Sequence, residues 1–548
     1  MRNSQTRFSR NPATIQMNRS VIPINYKHKT TFNAGKLIPL KFREVLPGDS
    51  IVVDMSEVVR MGTPIVPVMD SAYLDVYAFF VPNRLVWSHW KNFIGESEVA
   101  GFNSEVEYFV PGIPVPEDGF AEGGNADHFG IPTKTGTLGF VSALPFRALR
   151  LIWNEFFRDE NLQQPKLVNT GDLESDNTYD ELLPVAKFHD VFTSALPWPQ
   201  KGDPVLLPLQ GNAPVITSYD EYPYDVNSLP SMIISTGDVN VDFTDEYNLL
   251  GVTRSPVGST GFLTTYSIPG SEIQEEVGAV PINLVADLSQ VTGATINQLR
   301  QAFAVQRLLE RDALGGTRYR ELLKSHFSVT VPDLTVQVPE YVGGHRQHIS
   351  MQQVVQTSAT DEVSPQGNVS GLSVTSKKQN NTIVKSFSEH GMLIYCCCIR
   401  NDNSYQQGLE PCWYKRSRYD FYWPELAHIG EQPIPVKAIY AYGSEEENEE
   451  TFGYQEAWYD YRYCPNSISG EFRANHSRSL TEWTYADIYA SRPYLSPDWI
   501  VSDPENIGRT LAVQDENMSD QFIADFRFDE KWTRLMPVYS VPGLIDHY

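Results

Sequence analysis

Near the end of the chain Phe522, Ala524, Phe526 and Phe528 alternate with Ile523, Asp525, Arg527 and Asp529. Apolar residues at every second position put one face of a strand on a core and the other toward water. A helix repeats every 3.6 residues and cannot sort these side chains in that way. Two other stretches are apolar without alternation. Tyr73 to Val81 runs up to Pro82, and Gly391 to Arg400 contains the longest strongly apolar run, Met392 to Ile399. The β-branched and aromatic content of the first favours a buried strand. The second falls far short of the roughly 20 residues a membrane-spanning helix needs.

Around these, strand signals are short and far apart. Leu37, Ile38, Leu40 and Phe42 lead into the turn Leu46-Pro47-Gly48-Asp49, and Ile51-Val52-Val53 follows, which reads as strand, turn, strand. Leu334, Val336 and Val338 alternate with Thr335 and Gln337 before Pro339, another half-buried strand. Helical spacing is rarer. Asn83 is placed to cap a short helix carrying Val86, Trp90 and Phe93. Phe146, Leu149, Trp153 and Phe156 predict a helix over Pro145 to Arg158. A third, Ile296 to Leu314, starts at a Thr295-x-x-Gln298 capping box, puts Leu299, Ala302, Phe303, Leu309 and Ala313 on one face, and stops at Gly315-Gly316. A fourth follows, with Tyr319, Leu322, Leu323 and Phe327 on one face. Residues 95–140 and 343–385 read as loops. Few helices, short strands and dominant loops fit an antiparallel β-sandwich with very long connections.

Charge is distributed unevenly. The net charge is −25, yet residues 1–43 hold Arg2, Arg7, Arg10, Arg19, Lys27, Lys29, Lys36, Lys41 and Arg43 and no acid. Residues 1–30 therefore read as a basic, extended arm that orders only on a partner. Its cations neutralise phosphates and release counterions, giving sequence-independent nucleic-acid binding, and Phe8 and Tyr26 lie among them as stacking platforms for bases. A rival reading has the arm reach across to a neighbouring subunit. Residues 211–280 are the opposite: Asp220, Glu221, Asp225, Asp242, Asp245 and Glu246 belong to a run of ten acids with one base, Arg254. Structureless loops rarely exceed about 15 residues, so this stretch reads as an acidic surface insertion within a single domain spanning 31–548.

Catalytic constellations are missing. There is no Walker A loop, G-x-S-x-G or H-E-x-x-H. His345 and His348 would share a metal only on a helix, and the preceding Gly343-Gly344 argues against one. The run Glu445 to Glu450 lacks the interleaved glycine of a calcium loop. Cys396, Cys397 and Cys398 would point to alternate faces of a strand. With two further cysteines and no spaced framework, the set reads as buried free thiols in a reducing compartment. No metal or other cofactor is expected. The first 30 residues lack the apolar segment of a signal peptide, so a soluble protein made in a cytoplasm, without membrane insertion, is expected.

The segment Gly315 to Gly344, GGTRYRELLKSHFSVTVPDLTVQVPEYVGG, resembles the major capsid proteins of the Microviridae, gokushovirus type, which are small icosahedral single-stranded DNA phages. So do His28-Lys29-Thr30-Thr31-Phe32-Asn33-Ala34-Gly35, Val81-Pro82-Asn83-Arg84-Leu85-Val86-Trp87, Met536-Pro537-Val538-Tyr539 and the closing Pro542-Gly543-Leu544-Ile545-Asp546-His547-Tyr548, in the family's order. The resemblance implies an eight-stranded viral jelly roll, and sixty copies of the chain in a T=1 shell around the genome. It implies an insertion near 211–280 that builds a threefold protrusion for attachment to a host receptor. It also implies an internal scaffolding protein and minor virion proteins as partners, and a virion assembled in the host cytoplasm. Two rivals from other classes are a carbohydrate-binding or carbohydrate-active β-sandwich, whose aromatics would line a sugar cleft, and a phage spike protein, which would favour a trimer and a repeat. The first does not explain the basic arm or the missing secretion signal, and no repeat supports the second.

Overall fold

The computed structural model describes residues 18–96, 108–174, 177–205, 296–330, 336–349, 376–514 and 518–539, with the backbone alone over 376–382. It also describes the backbone of eight short strands, 215–217, 234–235, 248–254, 261–267, 280–281, 284–286, 351–355 and 369–374. The chain forms two compact units, Gly202–Leu309 and the remainder.

The larger unit is an antiparallel β-sandwich. Its main strands are β1 (Ser20–Phe32), β2 (Lys36–Val45), β3 (Ser50–Met61), β4 (Ala72–Pro82), β5 (Glu340–Ile349), β6 (Ser376–Ser386), β7 (Gly391–Asn401) and β8 (Phe522–Arg534). One sheet has the order β1-β8-β3-β6. The other has β5-β4-β7-β2, extended by the short strand Leu183–Pro184. At 10 to 13 residues these strands are longer than the sequence pattern suggested.

The two sheets differ in what covers them, and the sequence shows it. In the first, β8 alternates as expected: Phe522, Ala524, Phe526 and Phe528 enter the core while Ile523 and Arg527 face solvent. β3 does the same with Ile51, Val53, Met55 and Val59. The second sheet is buried on both faces, hence its unbroken apolar strands. Leu74, Val76 and Ala78 of β4, with Leu393, Tyr395 and Cys397 of β7, pack between the sheets. Phe79, Val81, Met392, Ile394, Cys396 and Cys398 face a second core on the other side. That core is closed by α1 (Leu144–Phe156), whose Phe156 ring lies 4.7 Å from Phe79. The three adjacent cysteines are thus free, buried and split between two cores. Burial pushes all three thiols up, Cys398 to about 11. Cys412 and Cys464 are exposed, contrary to expectation, because they lie beside Pro411 and Pro465 in the long β7–β8 connection, outside both cores.

Several expectations need correction. Residues 20–30 are no free arm: they form most of β1, whose alternate side chains close the sandwich. The strand expected over 334–338 lies later. Leu334 and Thr335 fall outside the described residues, and Val336 and Gln337 form a turn held by Arg84, whose guanidinium donates to Val336 O and Gln337 Oε1. Strand structure starts at Glu340 and runs through the glycine pair. Gly344 belongs there because a Cβ would lie 2.2 Å from Val76 O on β4. Much of 343–385, read as loop from its Gln, Ser and Thr content, is β5, β6 and the hairpin 351–355/369–374. Pro82, not Asn83, occupies the cap position of the helix Asn83–Val86, and Trp90–Phe93 is a separate turn. Helix α2 (Ile296–Leu314) is present, with Thr295 outside the described residues and Phe303 60 % exposed rather than packed. Helix α3 (Tyr319–Phe327) follows.

The smaller unit is built of nested antiparallel pairs: 215–217 with 284–286, 234–235 with 280–281, and 248–254 with 261–267. The acidic stretch 211–280 falls within it.

Candidate nucleic-acid interface

β1 is an edge strand whose ladder, among the described residues, is formed with β8 alone. Its period-two pattern divides the expected site residues. Tyr26 points inward: its ring stacks on Phe528 at 5.0 Å and its hydroxyl donates to Glu530 Oε1 at 2.8 Å. Glu530 is fully buried, accepts a second hydrogen bond from Trp532 Nε1 at 2.7 Å, and lies 3.3 Å from Arg43 Nε. Burial, then the Glu530 charge, drives the Tyr26 phenol far above its ordinary value. Tyr26 is therefore packed, half-buried, against the core and is not a stacking platform for bases. Lys27 and Lys29 point outward and are exposed. Arg19 is exposed just before the strand, beside Gly48. Arg2, Arg7, Phe8 and Arg10 lie outside the described residues.

Among the described residues, the outer face of the four-stranded sheet extends the outward lysines into an array. Lys27 pairs across the ladder with Arg527, Pro23 with Lys531, and Lys29 with Asp525. Ile523 of β8 pairs in turn with Arg60 of β3. All five cations are exposed, whereas Asp525, Asp529 and Asp54 between them are half-buried. Arg527 Nε lies 3.1 Å from Asp529 Oδ1. Long cationic side chains thus stand above shorter acids. Sequence reasoning missed Arg60, Arg527 and Lys531 because only the register brings them beside β1; the alternation around Phe526 already placed Arg527 outward.

At one end of this face β1 borders a cleft of about 860 Å³ lined by His28, Lys29, Asp127, His128, Asp520 and Asp525. Thr30 Oγ1 and His128 Nδ1 are 2.9 Å apart, and the Thr31 hydroxyl donates to Asp520. Burial lowers the affinity of both histidines for a proton; His128 and Lys41 add to the effect at His28, while Asp127, Asp520 and Asp180 oppose it at His128. His128 carried no signal in the sequence, since it lies in a stretch without periodicity.

The remaining candidates separate. His345 and His348 lie on β5 on opposite faces. His345 turns inward to Glu57, and His348 packs at 5.5 Å from the Tyr73 ring. Glu445–Glu449 is a solvent-facing helical turn. Asp220, Glu221, Asp225, Asp242, Asp245 and Glu246 lie outside the described residues. Among the described residues no helix is long and apolar enough to cross a membrane, and no cluster of three potential metal ligands occurs.

Comparison with known proteins places this architecture. The family model described as capsid protein (F protein) matches residues 11–544. Three relatives are each called capsid protein VP1. That of Bdellovibrio phage phiMH2K is 39% identical over 100% of this chain and 99% of its own. That of Spiroplasma virus 4 is 38% identical over 96% and 95%, and that of Chlamydia phage 1 is 38% identical over 98% and 98%. Gokushovirus-type Microviridae are the common source, and the family's role is structural rather than enzymatic. A family model matched along nearly the whole length, with relatives 38–39% identical over 96–100% of it, makes this chain a member of the phage capsid protein (F protein) family.

Proposed function

We propose that copies of this chain close into a T=1 icosahedral shell around a circular single-stranded DNA genome, each copy contributing one eight-stranded jelly roll. The strand orders β1-β8-β3-β6 and β5-β4-β7-β2 support that fold, since they are the orders of the two four-stranded sheets of a jelly roll. The observation that carries the genome contact is the outer sheet face, where exposed Lys27, Lys29, Arg527, Lys531 and Arg60 continue the basic character of residues 1–19. This face and the N-terminal residues Arg2, Arg7, Arg10 and Arg19 turn toward DNA and bind it by counterion release. The acidic insertion 211–280 meets a host surface receptor. Shells form in the host cytoplasm with an internal scaffolding protein and minor virion proteins. Individual subunit contacts are weak, and closure makes them effectively permanent.

The test is electron microscopy and DNA content of particles from three chains. The unaltered chain gives uniform closed shells. Lys27→Glu with Lys29→Glu and Arg527→Glu gives shells that lose DNA at lower salt. A short linker in place of 211–280 gives shells that no longer attach to the host. A discrete monomer or trimer under every condition overturns the capsid assignment, and unchanged DNA retention overturns the role of the sheet face.

A further inference from the structure

The β7–β8 connection carries a surface with no role in the assignments above. From Arg416 to Glu425, RSRYDFYWPE, every residue is exposed, including Tyr419 at 68 %, Phe421 at 49 % and Trp423 at 41 %. A single exposed aromatic needs no explanation, whereas a contiguous group of them marks an interaction surface. These rings are contiguous. Lys415 Nζ sits 4.2 Å from the centre of Tyr461 and 5.8 Å from that of Phe421. Tyr422 packs on Tyr461 and on Trp458, and Arg418 lies over both Tyr419 and Trp423.

The surface is braced by hydrogen bonds within the subunit. Ser417 and Asp420 form a capping box, Trp423 Nε1 donates to Arg418 O at 2.8 Å, and Trp458 Nε1 donates to Leu426 O at 2.8 Å. Ordering costs are thereby removed from binding.

Its charges identify the occupant. Lys415 pairs with Asp460, Lys437 with Glu449 and Arg462 with Glu456, so these three cations are already neutralised within the subunit. Among the described residues, Arg416 and Arg418 have no carboxylate partner, and neither Glu445 nor Glu446 has a cation. Arg416 and Glu445 line one cleft of about 460 Å³ beside Tyr419. One cleft thus offers an unpaired guanidinium and an unpaired carboxylate, with Arg418 and Glu446 close to them in the chain. A surface of that kind is complementary to itself turned about a twofold axis. Buried aromatics and Arg are also the residues that dominate protein interfaces.

We propose that residues Arg416–Glu425 with Tyr461 form a contact between two copies of this chain, in which Arg416 and Arg418 of each copy meet Glu445 and Glu446 of the other. This rests on the shell reading above, and the test separates the two. The full chain is produced under conditions in which the unaltered protein forms shells; failure at that step counts against the shell, not this surface. Tyr422→Ser with Phe421→Ser, both at exposed positions, gives a folded subunit by circular dichroism that sediments without shells. Arg416→Glu with Arg418→Glu does the same, and adding Glu445→Lys with Glu446→Lys to that chain restores shells. Normal shells from the serine variant overturn the proposal. So do normal shells that have lost only DNA or only host attachment, since the occupant is then nucleic acid or receptor. Loss without restoration in the four-fold charge variant overturns the twofold pairing.

Discussion

His345 Nε2 on β5 donates to Glu57 Oε1 on β3 across 2.7 Å, joining the two sheets through their shared core. Both side chains are at most 3 % exposed, and Glu57 Oε2 and His345 Nδ1 have no other hydrogen-bond partner among the described residues. Removing one member strands the other in an apolar interior. Glu57→Ala is expected to cost about 3–5 kcal/mol of unfolding free energy. Glu57→Leu together with His345→Phe is expected to cost far less, because no polar atom is left behind. Denaturant midpoints of the single and double variants measure the difference; equal losses would show that the pair does not act as a unit.

Tyr26 and its neighbour Lys27 separate packing from binding. Tyr26→Phe deletes one of the hydrogen bonds on buried Glu530 and is expected to destabilise by about 1–3 kcal/mol while leaving DNA retention unchanged. Lys27→Gln is expected to leave the melting temperature within error and to lower the salt concentration at which particles release DNA. An effect of Tyr26→Phe on DNA release at constant stability would return this ring to the interface.

Gly344→Ala tests a close strand approach in the sandwich. The added methyl would sit 2.2 Å from Val76 O and 3.0 Å from Tyr341 Oη, so β5 must move away from β4. A loss of at least about 1–3 kcal/mol is expected, the range for an overfilled core, and thermal unfolding reads it directly.

The cleft beside β1 makes stability depend on pH. The proton affinities of His28 and His128 are lowered in the fold, chiefly by burial. The unfolded chain therefore binds more protons than the folded one once the pH drops below about 6.5, the ordinary histidine value, and stability falls with acidification through that window. His128→Gln is expected to flatten the fall in melting temperature between pH 7 and pH 5. An unchanged slope would assign the acid sensitivity to other groups.

The strands with a strong pattern were legible in the sequence. Phe522 to Phe528 alternates because β8 has one dry face, and Tyr73 to Val81 does not because β4 has two. The helix around Trp153 showed its packing stripe. β1 was missed because an edge strand buries little on its inner side: Tyr26, His28 and Thr30 are only half-buried, so polar residues suffice there. β5 was missed because Gly344 supplies close approach in place of apolar bulk, and β6 because it opens on Ser, Lys, Gln and Asn, a composition that reads as loop. The interface suffered from the same limit. Lys27 and Lys29 were visible as a cluster, whereas Arg60, Arg527 and Lys531 join them only through pairing between segments about 460 to 510 positions apart in the chain.

The split burial of Cys396, Cys397 and Cys398 turns one strand into a pair of internal reporters. Cys397 senses the space between the sheets, and its two neighbours sense the space under the helix. A fluorine-labelled cysteine at each position in turn, the other two replaced by alanine, would give separate spectroscopic signals a single residue apart. Followed through heating, those signals would say whether the two layers melt as one body or whether the helical cover lifts first, with the sandwich beneath it still closed.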